Sequence, residues 1–311
     1  MRALGTLGVG AASGIAVVDE LVCVVGDDEV ALAVHALDAP GGGVRLVRRV
    51  RLFDGELPAE PRARKRVKPD LEALALLPDG ALLALGSGST PARRRGAYVP
   101  AAAVRGEDGG AGGARAVDLA PLYGALARTF AELNVEGAAA AGGILRLLQR
   151  GNGPAGQNGV VDLDLDAVVA AIAAGRAVEG GLVRALRPVA PGALDGVRLG
   201  FTDAAPLGGG AVLFSAAAEE SPDTYHDGPC AGSILGVLSP AGEVVWTDRI
   251  EGPRRGAAPL KIEGVHASWT GDVLALFLVA DADDARVPAE LLAAELPARA
   301  LPADVLSWRG R

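Results

Sequence analysis

The chain has 311 residues, half of them apolar, and a formal charge of −8. That length fills one large core or two modest ones, and the apolar share excludes a disordered chain. The acidic balance excludes nonspecific nucleic-acid binding, which needs a basic footprint, and suits a protein that takes up cations.

Aromatic residues make up only 4%, so the core is expected to be built from Val, Leu, Ile and Ala. Lysine occurs three times, at Lys65, Lys68 and Lys261, and arginine carries the positive charge. With 44 glycines, this reads as compositional bias rather than a functional signal. Cys23 and Cys230 imply no disulfide framework, and Cys23 stands in an apolar run expected in the core. The first residues, MRALGTLGVGAASGIAVV, make a poor signal peptide, and no uninterrupted apolar run of about 18 residues follows. A cytoplasmic monomer without a membrane span is expected, with export as the alternative.

In chain order, five segments align: AASGIAV (11–17), KPDLEALAL (68–76), ELNVEGAAA (132–140), LGFTDAAPL (199–207) and LKIEGVHAS (260–268). Their shared position holds Ser13, Glu72, Glu136, Asp203 and Glu263, spaced 59, 64, 67 and 60 residues apart. Each is followed by a turn, marked at Pro78-Asp79-Gly80 and Gly142-Gly143 by residues that favour hairpins, and then an apolar run. Next come a polar loop and a third strand. Fourth strands are expected over 44–52, 182–189 and 243–250. Four strands repeated at this period predict an all-β β-propeller of five blades, with six as the alternative. The last unit is one strand short, and the N-terminal MRALGTL is expected to close the ring, since an open edge would be left to pair with other chains. Segments 117–133 and 163–177 carry apolar spacing near 3.6 and read as short helical excursions. Segments 55–69 and 105–115 read as loops. Residues 1–311 are expected to form a single domain.

Aligned innermost strands bring their first residues together at one mouth of a central channel. Converging carboxylates at Glu72, Glu136, Asp203 and Glu263 need a cation, protons or guanidinium groups between them. Oxygen-only ligands favour a hard cation such as calcium. The structural alternative has each carboxylate accept backbone N–H groups from the next blade and so staple the ring. A basic and polar set accompanies the acids: Arg93, Arg94 and Arg95 in the second unit, and Arg150, Asn152 and Asn158 in the third. Arginine's planar fork suits anions. Arg150, directly after a strand, Asn152 and Arg93 are candidate ligand contacts, while Arg94 reads as solvated. The loop 218–230 gathers Glu219, Glu220, Asp223, Tyr225, His226 and Asp227, with Tyr225 and His226 as candidate ligand contacts.

Other signatures fail. Gly8-Val9-Gly10 opens strands rather than a βαβ unit, there is no G-x-S-x-G elbow, and His35, His226 and His266 have no zinc spacing. His266, three residues after Glu263, reads as a core or hydrogen-bonded histidine, with a channel-facing position as the alternative.

The segments DLEALALLPDG, NVEGAAA with LLQRGN, and KIEGVHA resemble the phytase-like (esterase-like) propeller family over nearly the whole chain. The resemblance implies calcium held by acids near the channel, with phosphate held by calcium and basic side chains. By position it implies such roles for Glu72, Glu136, Asp203 and Glu263, while Ser13 departs from the acidic pattern. The expected function is binding of a small anionic ligand, a metal ion or a protein partner at the channel mouth, with no catalytic residue assigned. The alternative is a divalent-metal-dependent phosphoester hydrolase.

Overall fold

The computed structural model describes residues 1–38, 43–107, 113–151, 156–219, 230–252, 259–281 and 287–309. Strand β1 (Arg2–Thr6) precedes the first blade, which comprises β2 (Ala12–Val18), β3 (Leu21–Gly26), β4 (Ala31–Leu37) and β5 (Val44–Arg51). The second holds β6 (Leu71–Leu76), β7 (Leu82–Gly86), β8 (Arg95–Val99) and β9 (Arg115–Asp118). The third holds β10 (Val135–Ala141), β11 (Ile144–Gln149), β12 (Gly159–Asp164) and β13 (Val183–Pro188). The fourth adds a short outer strand, β14 (Ala193–Leu194), to β15 (Val197–Gly208), β16 (Ala211–Glu219), β17 (Cys230–Leu238) and β18 (Val244–Arg249). In the fifth, β19 (Lys261–Thr270), β20 (Val273–Asp281) and β21 (Glu290–Pro297) are completed by β1, which pairs antiparallel with β21. The chain is a five-bladed β-propeller closed by its N-terminal strand. Strands β2, β6, β10, β15 and β19 each pack against the next around the axis, and β19 returns to β2.

The core follows from this ring. Five hydrophobic clusters lie between the five adjacent pairs of blades, built mainly of Val, Leu, Ile and Ala. Cys23 is buried in one of them, and both cysteines are free thiols. His35 seals the closure: its Nε2 lies 2.8 Å from the carbonyl of Leu7, between β1 and the first blade.

Helices are few. The segment expected to be helical over 117–133 is divided between β9 and α3 (Ala120–Leu126), and the one over 163–177 between β12 and α4 (Leu165–Ala173). The segment expected as a loop over 55–69 contains the seven-residue helix α1 (Pro61–Val67). Its arginines and lysine are good helix formers, Pro61 suits the first turn, and Glu60 caps the amides of Arg62 and Ala63. A helix this short shows no hydrophobic periodicity, because it buries no residue. Residues 101–105 form α2 (Ala101–Arg105), and α5 (Ala303–Trp308) ends the described chain. No described helix is long and apolar enough to cross a membrane.

Candidate functional site

Every innermost strand carries a β-bulge near its start, and the bulge turns one side chain toward the axis. In β6, Leu71 and Ala73 pair with consecutive residues of β7 and leave Glu72 as the extra residue. Glu136 is the extra residue of β10, and Glu263 that of β19. In β2 the bulge spans Ser13 and Gly14. In β15 it falls on Thr202, so Thr202 takes the place aligned above with Asp203, and Asp203 stands one residue further on. Two neighbouring polar residues in the string FTDAA made either alignment equally good in sequence.

That single step changes what Asp203 touches. The equivalent position is glycine in three blades. A Cβ there would come within 2.6 Å of the next blade's backbone at Gly14, 2.9 Å at Gly137 and 2.4 Å at Gly264. Asp203, fully buried, points the same way and accepts the amide of Val265 in the fifth blade at 2.9 Å. Burial pushes its carboxyl well above the ordinary range, against the pull of the amides of Val265, Ala204 and Ile15. Its Oδ1 makes no hydrogen bond of sound geometry among the described residues. Thr202 staples the same two blades, donating to the carbonyl of Ile262 at 2.7 Å.

The remaining mouth residues fall into two clusters. On blades three to five, Arg150 is the hub. Its guanidinium donates to Glu136 at 3.0 Å, contacts Glu219 at the end of β16, and lies 3.9 Å from Glu263. Lys261 pairs with Glu219 at 2.7 Å and Glu263 at 2.9 Å, and Asn134 donates to Glu136 at 2.5 Å. Gly200 makes the crossing possible, because a Cβ there would meet the Arg150 side chain at 2.9 Å. Three carboxylates face two cations. Burial pushes the Glu263 carboxyl up to about 8, against the attraction of Lys261 and Arg150, so the cluster retains a proton near neutrality. Asn158 accepts the amide of Gly151 and donates to the carbonyl of Leu199, a structural bridge between blades three and four.

On blades one and two, Lys68 takes the central place. Its ammonium contacts Asp27 and lies 3.2 Å from Asp28 and 3.0 Å from Asp70. Asp70 also accepts from Arg93 at 2.6 Å and from Ser87 at 2.5 Å. These contacts hold it in the left-handed region, at φ 55°, which aspartate tolerates better than most residues. Among the described residues Glu72 has no cation in hydrogen-bonding contact, and it accepts from Ser13 at 2.8 Å. Burial, then Asp70, Glu136 and Asp27, push its carboxyl well above the ordinary range. Burial likewise raises Asp27 to about 6, against the attraction of Lys68. Carboxylate oxygens of Asp27, Asp70 and Glu72 lie within 4.8 Å of one another.

Arg93 and Arg150 therefore stand at the mouth, but both are engaged by carboxylates. Arg93 and Arg95 also donate to the carbonyls of Lys65 and Val67, at 3.4 and 3.0 Å, so two members of the arginine triplet clamp the last turn of α1. Arg94 is half-buried and donates weakly to the carbonyl of Gly88, at 3.4 Å. Asn152, Tyr225 and His226 lie outside the described residues, as do Glu220, Asp223 and Asp227. His266 is half-buried, and burial alone lowers it to about 4.

Asp27, Lys68, Asp70 and Lys261 had no place in the sequence reading. Their signal was present in the composition: two of the chain's three lysines, Lys68 and Lys261, are buried at the mouth. Lysine is rarely buried without a partner, and both of these lie against carboxylates.

The fold is similar to that of Myxococcus xanthus glutaminyl cyclase, with a TM-score of 0.50 at 12% identity, over 95% of this chain and 96% of that one. It is also similar to a glycosyl hydrolase from Bacteroides ovatus, with a TM-score of 0.50 at 9% identity, over 97% and 86% of the two chains. At these identities the likeness is one of fold alone. No curated protein sequence matches the chain. The family model that matches it, over residues 8–296, is that of a family of unknown function, DUF6929, and the chain belongs to that family.

Proposed function

We propose that this propeller is a ligand-binding protein whose ligand is a small hard cation, taken at the channel mouth by Asp27, Asp70 and Glu72. The observation that carries this reading is the approach of those three carboxylates to within 4.8 Å. Oxygen-only sets of this kind suit calcium, manganese or magnesium. A buried Asp27 Oδ1 without a hydrogen bond among the described residues supports it further. Lys68 is the resident counter-charge, and an entering dication replaces its ammonium. Of the four acids expected to hold metal, Glu72 belongs to this set. Glu136 and Glu263 are neutralised by Arg150 and Lys261, and Asp203 faces a backbone amide.

A phytase-like phosphoester hydrolase is the second reading, and the resemblance of the repeats favours it. It needs basic groups free to grip phosphate, whereas Arg93 and Arg150 are spent on carboxylates. Cation binding without phosphate is accordingly the reading we favour.

Isothermal titration with calcium, magnesium and manganese, paired with melting curves, tests it. Calcium at about 100 times its dissociation constant should stabilise the fold by about 2.7 kcal/mol. Asp70→Asn should remove the effect. No heat and no metal-dependent rise in melting temperature at millimolar metal would sink the proposal.

A further inference from the structure

Helix α1 is not explained by packing. It buries none of its seven residues, and a helix of that length is unstable alone. Yet several contacts hold it in place. Glu60 caps its first turn, Arg64 donates to Asp28 at 3.1 Å, and Arg93 and Arg95 clamp its last carbonyls. The helix leads directly into β6, so it stands on the same face as the channel mouth, at the rim of blades one and two. In a chain of net charge −8 it carries four basic residues, Arg62, Arg64, Lys65 and Arg66, and no acid. Arg62 and Arg66 are exposed, and neither side chain has a hydrogen bond or ion pair among the described residues. Val67, beside them, is 46% exposed.

From this juxtaposition we infer that α1 is a docking surface for a short acidic peptide segment of a partner protein, with Arg62 and Arg66 taking its carboxylates and Val67 one apolar side chain. Charge complementarity selects the class. An extended polyanion, such as a nucleic acid or an anionic membrane, would reach past the helix to the acids of the mouth and to a surface of net negative charge. A short segment laid along the helix meets its four basic residues against two bordering carboxylates, Glu60 and Asp28, both already engaged by the helix, and at physiological salt the acids beyond about 8 Å are screened. Charged rims of this kind set partner choice and association rate.

The test is fluorescence anisotropy of a labelled peptide of alternating glutamate and aspartate with one central leucine, titrated with the full chain at low and at physiological salt. Binding should weaken as salt rises. Arg62→Ala/Arg66→Ala should lose about tenfold in affinity at an unchanged melting temperature, since neither side chain supports the fold. Arg299→Ala, an exposed arginine on the fifth blade, should bind as the parent does. The inference is overturned if the parent does not bind the peptide, or if the double variant binds it equally well. It is also overturned if Arg299→Ala loses as much, or if oligothymidylate or phosphatidylserine vesicles bind more tightly than the peptide. None of these outcomes depends on metal, so they are distinct from the fate of the cation site.

Discussion

Ser13 Oγ donates to Glu72 Oε2 at 2.8 Å across the boundary between the first and second blades. An uncharged mouth residue of the repeat thus serves a mouth glutamate that, among the described residues, lacks a cation in hydrogen-bonding contact. Burial and three neighbouring carboxyls raise the Glu72 carboxyl well above its ordinary range, so a cation bound there competes with a proton.

Removing that hydroxyl should have a modest effect on the fold. Ser13→Ala deletes one hydrogen bond at a residue that is 7% exposed and should cost about 1 kcal/mol in urea denaturation. If Glu72 is a cation ligand, Ser13→Ala should leave calcium affinity in place, while Glu72→Gln should lower it.

Arg150 is the opposite case. Arg150→Met leaves Glu136, Glu219 and Glu263 buried around an apolar side chain and should destabilise by about 3–5 kcal/mol. Adding Glu219→Gln should recover part of that loss, and a double-mutant cycle by chemical denaturation measures how much.

Asp203 separates hydrogen bonding from charge. Its carboxyl is pushed toward the neutral form, so Asp203→Asn, which keeps an oxygen for the amide of Val265, should cost less than about 1 kcal/mol. Asp203→Ala orphans that buried amide and should cost about 2 kcal/mol or more. Equal losses in the two variants would show that the charge is what matters.

The Glu263 carboxyl titrates near 4.5 when unfolded and about 8 when folded. Between those values the folded chain keeps a proton that the unfolded chain releases. The contribution is therefore fully present below pH 4.5 and is lost as pH rises through 8, at no more than about 1.4 kcal/mol per pH unit. His266 has the opposite sign. Lowered to about 4 in the fold, it contributes stability present above its ordinary 6.5 and lost as pH falls through 4. Urea unfolding of the parent and Glu263→Gln across this range should show the parent losing stability relative to the variant between pH 6.5 and 8.

Architecture was legible because a propeller repeats. The strand-start motif sets the blade period, the short last unit implies closure, and β1 supplies the missing strand. Local grammar of this kind depends on side-chain alternation and turn chemistry, which each segment carries within itself. The second blade's outer strand β9 was missed, because four residues next to a helix show too little alternation. Helix α1 was missed because it has no apolar face to display.

The site was legible only in outline. Sequence alone determined that acids start the inner strands and that Arg150 directly follows one of the blade strands. Only the tertiary structure decided that Thr202 rather than Asp203 occupies the fourth bulge, that Lys68 and Lys261 are buried among the acids, and that the mouth divides into two clusters. The reason is physical. Which carboxylate keeps its charge depends on partners from other blades, 59 residues away for Ser13 and Glu72 and 69 for Arg150 and Glu219. Those partners meet only once the ring has closed.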